Sequence, residues 1–598
     1  MENRSHDVVV MGGGLAGLSL ALQLKRHDPG IDVLVAERAA HPPPAAAFKV
    51  GESTVEGAAY YLRDVLGLED YLWADQLPKS GLRWFFSDGS NTDIARRVEY
   101  GPTARLPYGT FQLDRGTLEA KLAELVVEAG AEFLDKCRVR DVTLGDDGHT
   151  VRLKRDGVES DVAARWVVDA TGRFGLLKRK LDLGKPVYHK ANASWFRLPV
   201  KYDVEDWSDD PAYRARLKPY KYDDGREETM RYLSTVHLTG PGYWLWFIPL
   251  YGDYTSIGIV VDDGMYPVSE INTLEKSMAW IEEHEPQAYE YLAPHLDEVM
   301  DFSFLRHYSH NCTRVYSPDR WCITGIAGAF HDPLFSYGTD MIGVSNTLMT
   351  DLISRDLGGE DVTGRTELYN HLFLEKWVEP VFSVFDDKYP IMGNPHIFTT
   401  YVHWTTMWYW AINGSLFIHG KLTDLPALGE ITEESERATK LMRVMQAFFV
   451  EWHRTAGDVA MSDYFVPFCG HEFVTRVQAD LHAEPNDEEF VEKFRSKLTS
   501  LEQLACEIFW MAVRILPDPP ERRPIDPYAI SLDRSRWEAD GLFDVSADGS
   551  AEPVDWEGNR VDWDDELSDL YGFDRAPVNG QGADAARERA SGEAALSQ

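Results

Sequence analysis

Cysteine is scarce in this chain. Cys137, Cys312, Cys322, Cys469 and Cys506 are its only five among 598 residues, odd in number and widely spaced. Neither a disulfide framework nor a paired-cysteine zinc site can be assembled from that spacing, so no metal is expected and a reduced, cytoplasmic setting is. Positive charge is also short: 60 Lys and Arg stand against 98 Asp and Glu, a formal net charge of −38. So acidic a surface repels phosphate backbones and anionic headgroups, which excludes nucleic acid and membrane from the expected partners. Long apolar runs are missing too. The most apolar late stretch, 401–418, is interrupted by His403, Thr405, Thr406, Asn413 and Gly414 and reads as a buried helix or substrate wall. The opening residues are polar and run straight into a strand, a pattern that predicts no cleaved signal.

What is present is a large apolar and aromatic load: 44% hydrophobic residues, 12% aromatic, and 18 Trp. A chain of this length and composition predicts a folded enzyme of more than one domain. Asp7 to Met11 reads as a strand, the next segment as a helix to about His27, and Val33 to Val35 as a second strand. Val55 to about Gln76 has helical periodicity, Leu82 to Ser87 reads as a strand after a Pro-Lys-Ser-Gly turn, and Thr117 to Ala129 as a helix. Alternating stretches from about 190 to 310, notably Tyr243 to Pro249 and Tyr254 to Val261, predict an antiparallel sheet. The chain then reads as mostly helical to about 535. Beyond that lie an acidic tail, Val554-Asp555-Trp556 and Val561-Asp562-Trp563 in echo, and a polar end that predicts partial disorder.

The first strand and helix are joined by Gly12-Gly13-Gly14-Leu15-Ala16-Gly17. Gly12 permits the tight turn, Gly14 the approach of a pyrophosphate, and Gly17 close helix packing, while the helix N-terminus offers unpaired amides to the phosphates. Glu37, at the end of the second strand, is placed for ribose hydroxyls. The fingerprint alone does not separate FAD from NAD. Val167-Val168-Asp169-Ala170-Thr171-Gly172 resembles the strand end by which glutathione-reductase-type flavoproteins pass near FAD, with Asp169 in the cofactor set. Arg115 falls where flavin monooxygenases carry an arginine near the cofactor. A second glycine fingerprint is absent, which leaves reduction of the flavin to a partner.

Three further segments resemble the flavin-dependent halogenases, of the phenol and pyrrole type rather than the tryptophan type. Phe48-Lys49-Val50-Gly51-Glu52-Ser53 is similar to the loop that covers the flavin, which implies cofactor contacts from Lys49 and Ser53. Trp244-Leu245-Trp246-Phe247-Ile248-Pro249 matches the WxWxIP signature, and on a strand Trp244 and Trp246 share a face. The resemblance implies that these two rings separate flavin from substrate. Phe330 to Gly338 fits FxxPxxSxG, implying Pro333 beside the flavin and a halide held at Ser336, Tyr337 and Gly338 by backbone amides. Lys79 lies just before a strand, where the family carries its catalytic lysine. The implied role is to hold or carry the oxidised halogen on its way from the cofactor to the substrate.

Two positions depart from the related patterns. Gly325, in the late FAD motif, is followed by Ile326 and not by an acid. Phe335 occupies the place of the glutamate that assists the lysine in tryptophan halogenases, so the substrate's base must come from elsewhere: Glu52, His331 and Asp332 are the candidates. His403, Trp404, Trp408, Tyr409 and Trp410 pack a core or line an aromatic pocket.

The expected class is α/β, a glutathione-reductase-type FAD-binding fold over 1–350, with an antiparallel sheet insert at about 190–318. A helical C-terminal region over 351–535 follows, then a tail over 536–598. The expected activity is halogenation of an electron-rich phenolic or pyrrolic natural product with reduced FAD, oxygen and chloride or bromide. The expected partners are a flavin reductase and a small aromatic substrate, free or tethered to a carrier protein. The charge favours a free one, because acidic carriers would be repelled; a basic patch at Lys178, Arg179 and Lys180 is the feature that would reverse this. The competing expectations are a hydroxylating flavin monooxygenase and a flavoprotein without catalysis.

Overall fold

The computed structural model describes residues 5–44, 49–457, 465–468 and 472–545. Phe48, Cys469 and the echoed Val-Asp-Trp segments lie outside the described residues.

The first strand, Ser5–Met11, is β-branched at Val8, Val9 and Val10, where both of its faces are covered, as a parallel strand in the middle of a sheet requires. The sheet runs in the order Tyr316–Ser317, Trp321–Ile323, Val158–Asp169, Ser5–Met11, Val33–Ala36, Glu132–Leu134. Its last five strands pair in parallel, with Val9 opposite both Val167 and Leu34. Cys137–Thr143 and His149–Arg155 extend it as an antiparallel arm on Val158–Asp169. Helix Leu15–His27 packs against the helices Arg115–Glu128 and Gly338–Leu357. The glutathione-reductase-like half of the expectation therefore stands.

The second sheet is mixed, and it is not a contiguous insert. Its order is Asp301–Arg306, Ala191–Leu198, Tyr254–Asp262, Tyr243–Leu250, Thr235–Gly240, Leu82–Phe86, Glu99–Gly101, Phe465–Pro467. The first five strands are antiparallel, as read from sequence, but Thr235–Gly240 lies parallel to Leu82–Phe86, and Phe465–Pro467 parallel to Glu99–Gly101. Strand pairing between segments so distant in the chain leaves no local sequence signal. Leu77–Lys79, read as part of a turn, is a short strand paired with Thr110–Gln112.

The C-terminal region is helical, led by Pro395–Trp408, Thr432–Ala456 and Asp487–Ala512. The last opens on a capping box in which Asn486 and Glu489 satisfy each other's backbone amides. The 401–418 stretch is the expected buried helix, and among the described residues no helix is long and apolar enough to cross a membrane. No cluster of His, Cys, Asp or Glu suited to a metal occurs among the described residues. The chain still packs on the body past 535, where Leu542 is fully buried.

Candidate functional site

Two cavities of very different size border the second sheet. The larger, about 1120 Å³, runs from the glycine turn to the second sheet. Gly12, Gly14, Glu37, Lys49, Glu52, Ser53, Arg115, Gly325, Pro333, Ser336, Gly338, Trp244 and Trp246, all expected site residues, line it.

Its glycine end is a cradle that side chains would fill. Gly12 has φ +123°, and a Cβ there would meet the Ala170 carbonyl oxygen at 2.2 Å. Gly17 lets the helix sit on the strand, since a Cβ would fall 2.0 Å from the Gly12 oxygen, whereas Gly14 faces open space. Glu37 accepts from the Gly13 amide at 2.7 Å and from the Ala39 amide, which fixes its carboxylate at the rim of the cradle. Lys49 and Arg115 both pair with Glu119, and all three line the cavity. Burial lowers the Lys49 amine to about 8 and the Arg115 guanidinium to about 10. Gly325 has φ +58°, and Ile326 beside it lines the cavity with an apolar side chain. A glycine cradle, a ribose-level acid, a helix N-terminus and an extended cavity together fit FAD.

Asp169 does not line this cavity. Its carboxylate accepts from the Thr171 amide and hydroxyl and from the Leu177 amide, so it fixes the turn Ala170-Thr171-Gly172 from behind. Its place in the cofactor set is corrected to a positioning one.

The smaller cavity, about 50 Å³, holds Lys79. This lysine is 3% exposed, and its Nζ donates to Ser53 Oγ at 2.8 Å and to the Thr54 carbonyl at 2.6 Å. Burial pulls its amine down to about 7, against the raising effect of Glu56 and Asp340. Glu56, Trp84, Phe335, Tyr337, Tyr409 and Trp410 share the lining. Tyr409 donates to Asp340, whose other oxygen accepts from the Ala58 amide at 2.8 Å. Burial raises the Asp340 carboxyl to about 7. The five late aromatic candidates divide: Tyr409 and Trp410 open a π-helical segment, Tyr409–Gly414, and reach the cavity, while His403, Trp404 and Trp408 are packed in the core.

The motif loop alternates between the cavities. Pro333, Ser336 and Gly338 face the larger, Phe335 and Tyr337 the smaller. Ser336 has φ +61° and turns the chain into helix Gly338–Leu357, whose first amides have no intrahelical acceptor. Asp332 anchors the loop, accepting from His189, Tyr308 and Tyr389 at 2.9, 2.8 and 2.7 Å.

Trp244 and Trp246 share a face as expected, their ring centroids 5.5 Å apart, but both wall the larger cavity only. The rings between the cavities are others: His237, 5.4 Å from Trp244, stacks at 5.2 Å on Trp84, which lies 6.3 Å from Phe335. His237 lines the larger cavity and Trp84 the smaller. Burial pushes the His237 imidazole down to about 3, so it is neutral. Sequence reading missed Trp84, His237, Glu56 and Asp340. Glu56 has the look of an ordinary acid at a helix N-terminus, and the others gain meaning only from their neighbours.

The expected bases are not where Lys79 is. Glu52 pairs with Arg197 on the larger cavity, and Asp332 and His331 line neither cavity. Glu52 is therefore corrected from a catalytic candidate to a partner of Arg197. Nor do Lys178, Arg179 and Lys180 form a free basic patch. Lys178 is bound to His310 and to the Gly328 carbonyl, Lys180 pairs with Asp141, and Arg179 covers Phe174.

Comparison with known proteins agrees with this geometry. A family model described as lycopene cyclase protein matches residues 7–189, the nucleotide-binding part. The flavin-dependent halogenase chlA of Dictyostelium discoideum is 28% identical over 61% of this chain and 63% of its own. The 1H-pyrrole-2-carbonyl-[peptidyl-carrier protein] brominase of Pseudoalteromonas luteoviolacea is 26% identical over 64% and 88%. The tetracycline 7-halogenase of Kitasatospora aureofaciens is 26% identical over 56% and 61%. The chain thus spans less than two thirds of the first and third of these relatives. In fold it is similar to halogenase PltM, with a TM-score of 0.57 at 17% identity over 84% of this chain and 96% of that one. With the glycine cradle, both tryptophans and the motif loop around one cavity, the chain is similar in sequence and in fold to flavin-dependent halogenases.

Proposed function

We propose that this protein is an enzyme that halogenates an electron-rich aromatic natural product, phenolic or pyrrolic, using reduced FAD, oxygen and chloride or bromide. The observation that carries this reading is the buried amine of Lys79 on a small aromatic-walled cavity, set off from the cradle cavity by Trp84, His237 and the motif loop. Direct contact between a substrate there and a cofactor in the larger cavity is blocked, so a small diffusible species must cross.

Gly12, Gly14, Glu37, Lys49, Ser53, Arg115, Gly325 and Pro333 would hold FAD. When bound, reduced FAD supplies the activation of oxygen that turns a halide into hypohalous acid. The Tyr337 and Gly338 amides, at the positive end of helix Gly338–Leu357, hold the halide after Ser336 turns the chain. Lys79 receives the hypohalous acid and donates to its oxygen, which polarises the halogen toward the substrate. Trp84, Phe335, Tyr337 and Trp410 exclude water and present ring faces and edges to an aromatic substrate.

The single glycine fingerprint favours flavin reduction by a separate reductase, and the few scattered cysteines favour the cytoplasm. The brominase above is named for a carrier-bound pyrrole; the net charge of −38 and the committed state of Lys178 and Lys180 favour a free substrate here.

The test supplies the protein with reduced FAD, bromide or chloride, and a panel of phenols and pyrroles, free and carrier-bound. Halogen isotope patterns in the product mass spectra are expected. Hydroxylated products alone identify a monooxygenase, and failure to bind FAD in either redox state identifies a flavoprotein without catalysis.

A further inference from the structure

Five glutamates are buried among the described residues: Glu52, Glu56, Glu99, Glu119 and Glu285. Four have a cation in direct contact. Glu52 has Arg197, Glu99 has Arg83 and Arg231, Glu119 has Lys49 and Arg115, and Glu285 has Arg97. Glu56 has none. It is 4% exposed, Gln478 donates to its Oε1 at only 3.4 Å, its own backbone amide faces the carboxylate, and the Trp410 indole N–H approaches without a well-aligned bond. A buried carboxylate left this poorly partnered costs stability, and such a cost is expected at a working site.

Its location fits that expectation. Glu56 is the only carboxylate lining the smaller cavity among the described residues, and Lys79 the only amine. The two do not form an ion pair; both border the space in which the substrate of the proposed reaction would sit. The remaining charge near Lys79 is Asp340, which is held from behind by Tyr409 and the Ala58 amide and does not line the cavity.

We propose that Glu56 is the base that takes the proton an aromatic ring loses on halogenation, and that it returns this proton to Lys79. The inference rests on the halogenase reading above. The balance is as follows. The ring π electrons form the carbon–halogen bond and the halogen–oxygen bond of hypohalous acid breaks. The departing hydroxide takes a proton from the Lys79 ammonium and leaves as water. The ring C–H bond then breaks, its electrons restore aromaticity, and its proton passes to the Glu56 carboxylate. Transfer from the Glu56 carboxylic acid to the Lys79 amine restores both groups, so the sum is arene plus hypohalous acid giving haloarene plus water. Burial helps the first two transfers: it raises the Glu56 carboxyl above its ordinary range, making it a better base, and lowers the Lys79 ammonium, making it a better acid; it also brings the two groups' proton affinities together, so that the return transfer resets the site without a large driving force.

The experiment compares wild type, Glu56→Gln and Glu56→Asp, each loaded with FAD, on protiated and ring-deuterated phenol. Glu56→Gln should lose at least about 100-fold in kcat, the scale of a removed general base, and should acquire a primary deuterium isotope effect absent from the wild type. Glu56→Asp should recover part of the rate. Without turnover, isotope-labelled lysine NMR should show the Lys79 pKa falling in Glu56→Gln, because a favourable negative charge is gone. A Glu56→Gln enzyme of wild-type rate overturns the proposal, and so does one that is slow but treats both isotopologues alike. An unchanged Lys79 titration does the same. Wild-type enzyme that hydroxylates and never halogenates overturns the underlying reading instead, a result visible before any variant is made.

Discussion

The Lys79 ammonium donates to the Ser53 hydroxyl at 2.8 Å, and that one bond links the two cavities. Ser53 belongs to the lining of the larger and Lys79 to the lining of the smaller. Ser53 Oγ also lies 2.8 Å from Thr235 Oγ1, so the hydroxyl is fixed from the second sheet while it receives the amine from the short strand pair Leu77–Lys79 and Thr110–Gln112.

Lys79→Ala should retain FAD binding and lose halogenation by at least about 100-fold, since the group that activates the oxidised halogen is gone while the cradle is untouched. Flavin absorbance on the purified variant and product mass spectra measure the two separately. Halogenation near the wild-type rate would remove Lys79 from the reaction.

The pH profile follows from the same amine. With its value lowered to about 7, Lys79 is charged below that pH and neutral above it, so a reaction needing the ammonium should decline as pH rises through about 7. Asp340 raises the Lys79 value, so Asp340→Asn should move this alkaline limb to lower pH. Rates with saturating substrate across the pH range decide it, and a limb that stays in place would show that the two charges do not interact.

Gly12→Ala should abolish FAD binding and destabilise the fold. The backbone at φ +123° alone costs about 1–3 kcal/mol for a residue with a side chain, and the new methyl would also press on the Ala170 carbonyl. Loss of co-purified flavin and a lowered Tm are the readouts. Unchanged flavin content would show that the turn tolerates a side chain.

Glu52→Gln should cost stability, by less than the about 3–5 kcal/mol of a buried charge left wholly uncompensated, because it breaks a buried ion pair but leaves Arg197 with Asp114 at 3.4 Å. Denaturant midpoints measure this. An unaltered midpoint would count against a structural pairing with Arg197 and return Glu52 to the list of reacting groups.

The local parts of this protein were legible in its sequence. A β-branched strand, a glycine turn and a following helix are set by short-range sterics and capping, so Gly12, Gly14, Gly17 and Glu37 could be placed without coordinates. The shared face of Trp244 and Trp246 follows from the two-residue strand repeat. Lys79 was legible only as a match to a family pattern, because a lone lysine before a strand is otherwise a surface charge.

What the tertiary structure decided is which residues face one another across gaps in the chain. The parallel pairing of Thr235–Gly240 with Leu82–Phe86 stacks His237 on Trp84 and builds the partition. Helix Gly338–Leu357 and the π-helical turn at Tyr409 bring Asp340 to Tyr409 behind Gly57. The fold also hands Arg197 to Glu52 and gives Glu56 no cation in direct contact, only Lys79 across the cavity. Two glutamates four residues apart, alike in sequence, thereby acquire different partners, although burial raises both carboxyls above their ordinary range.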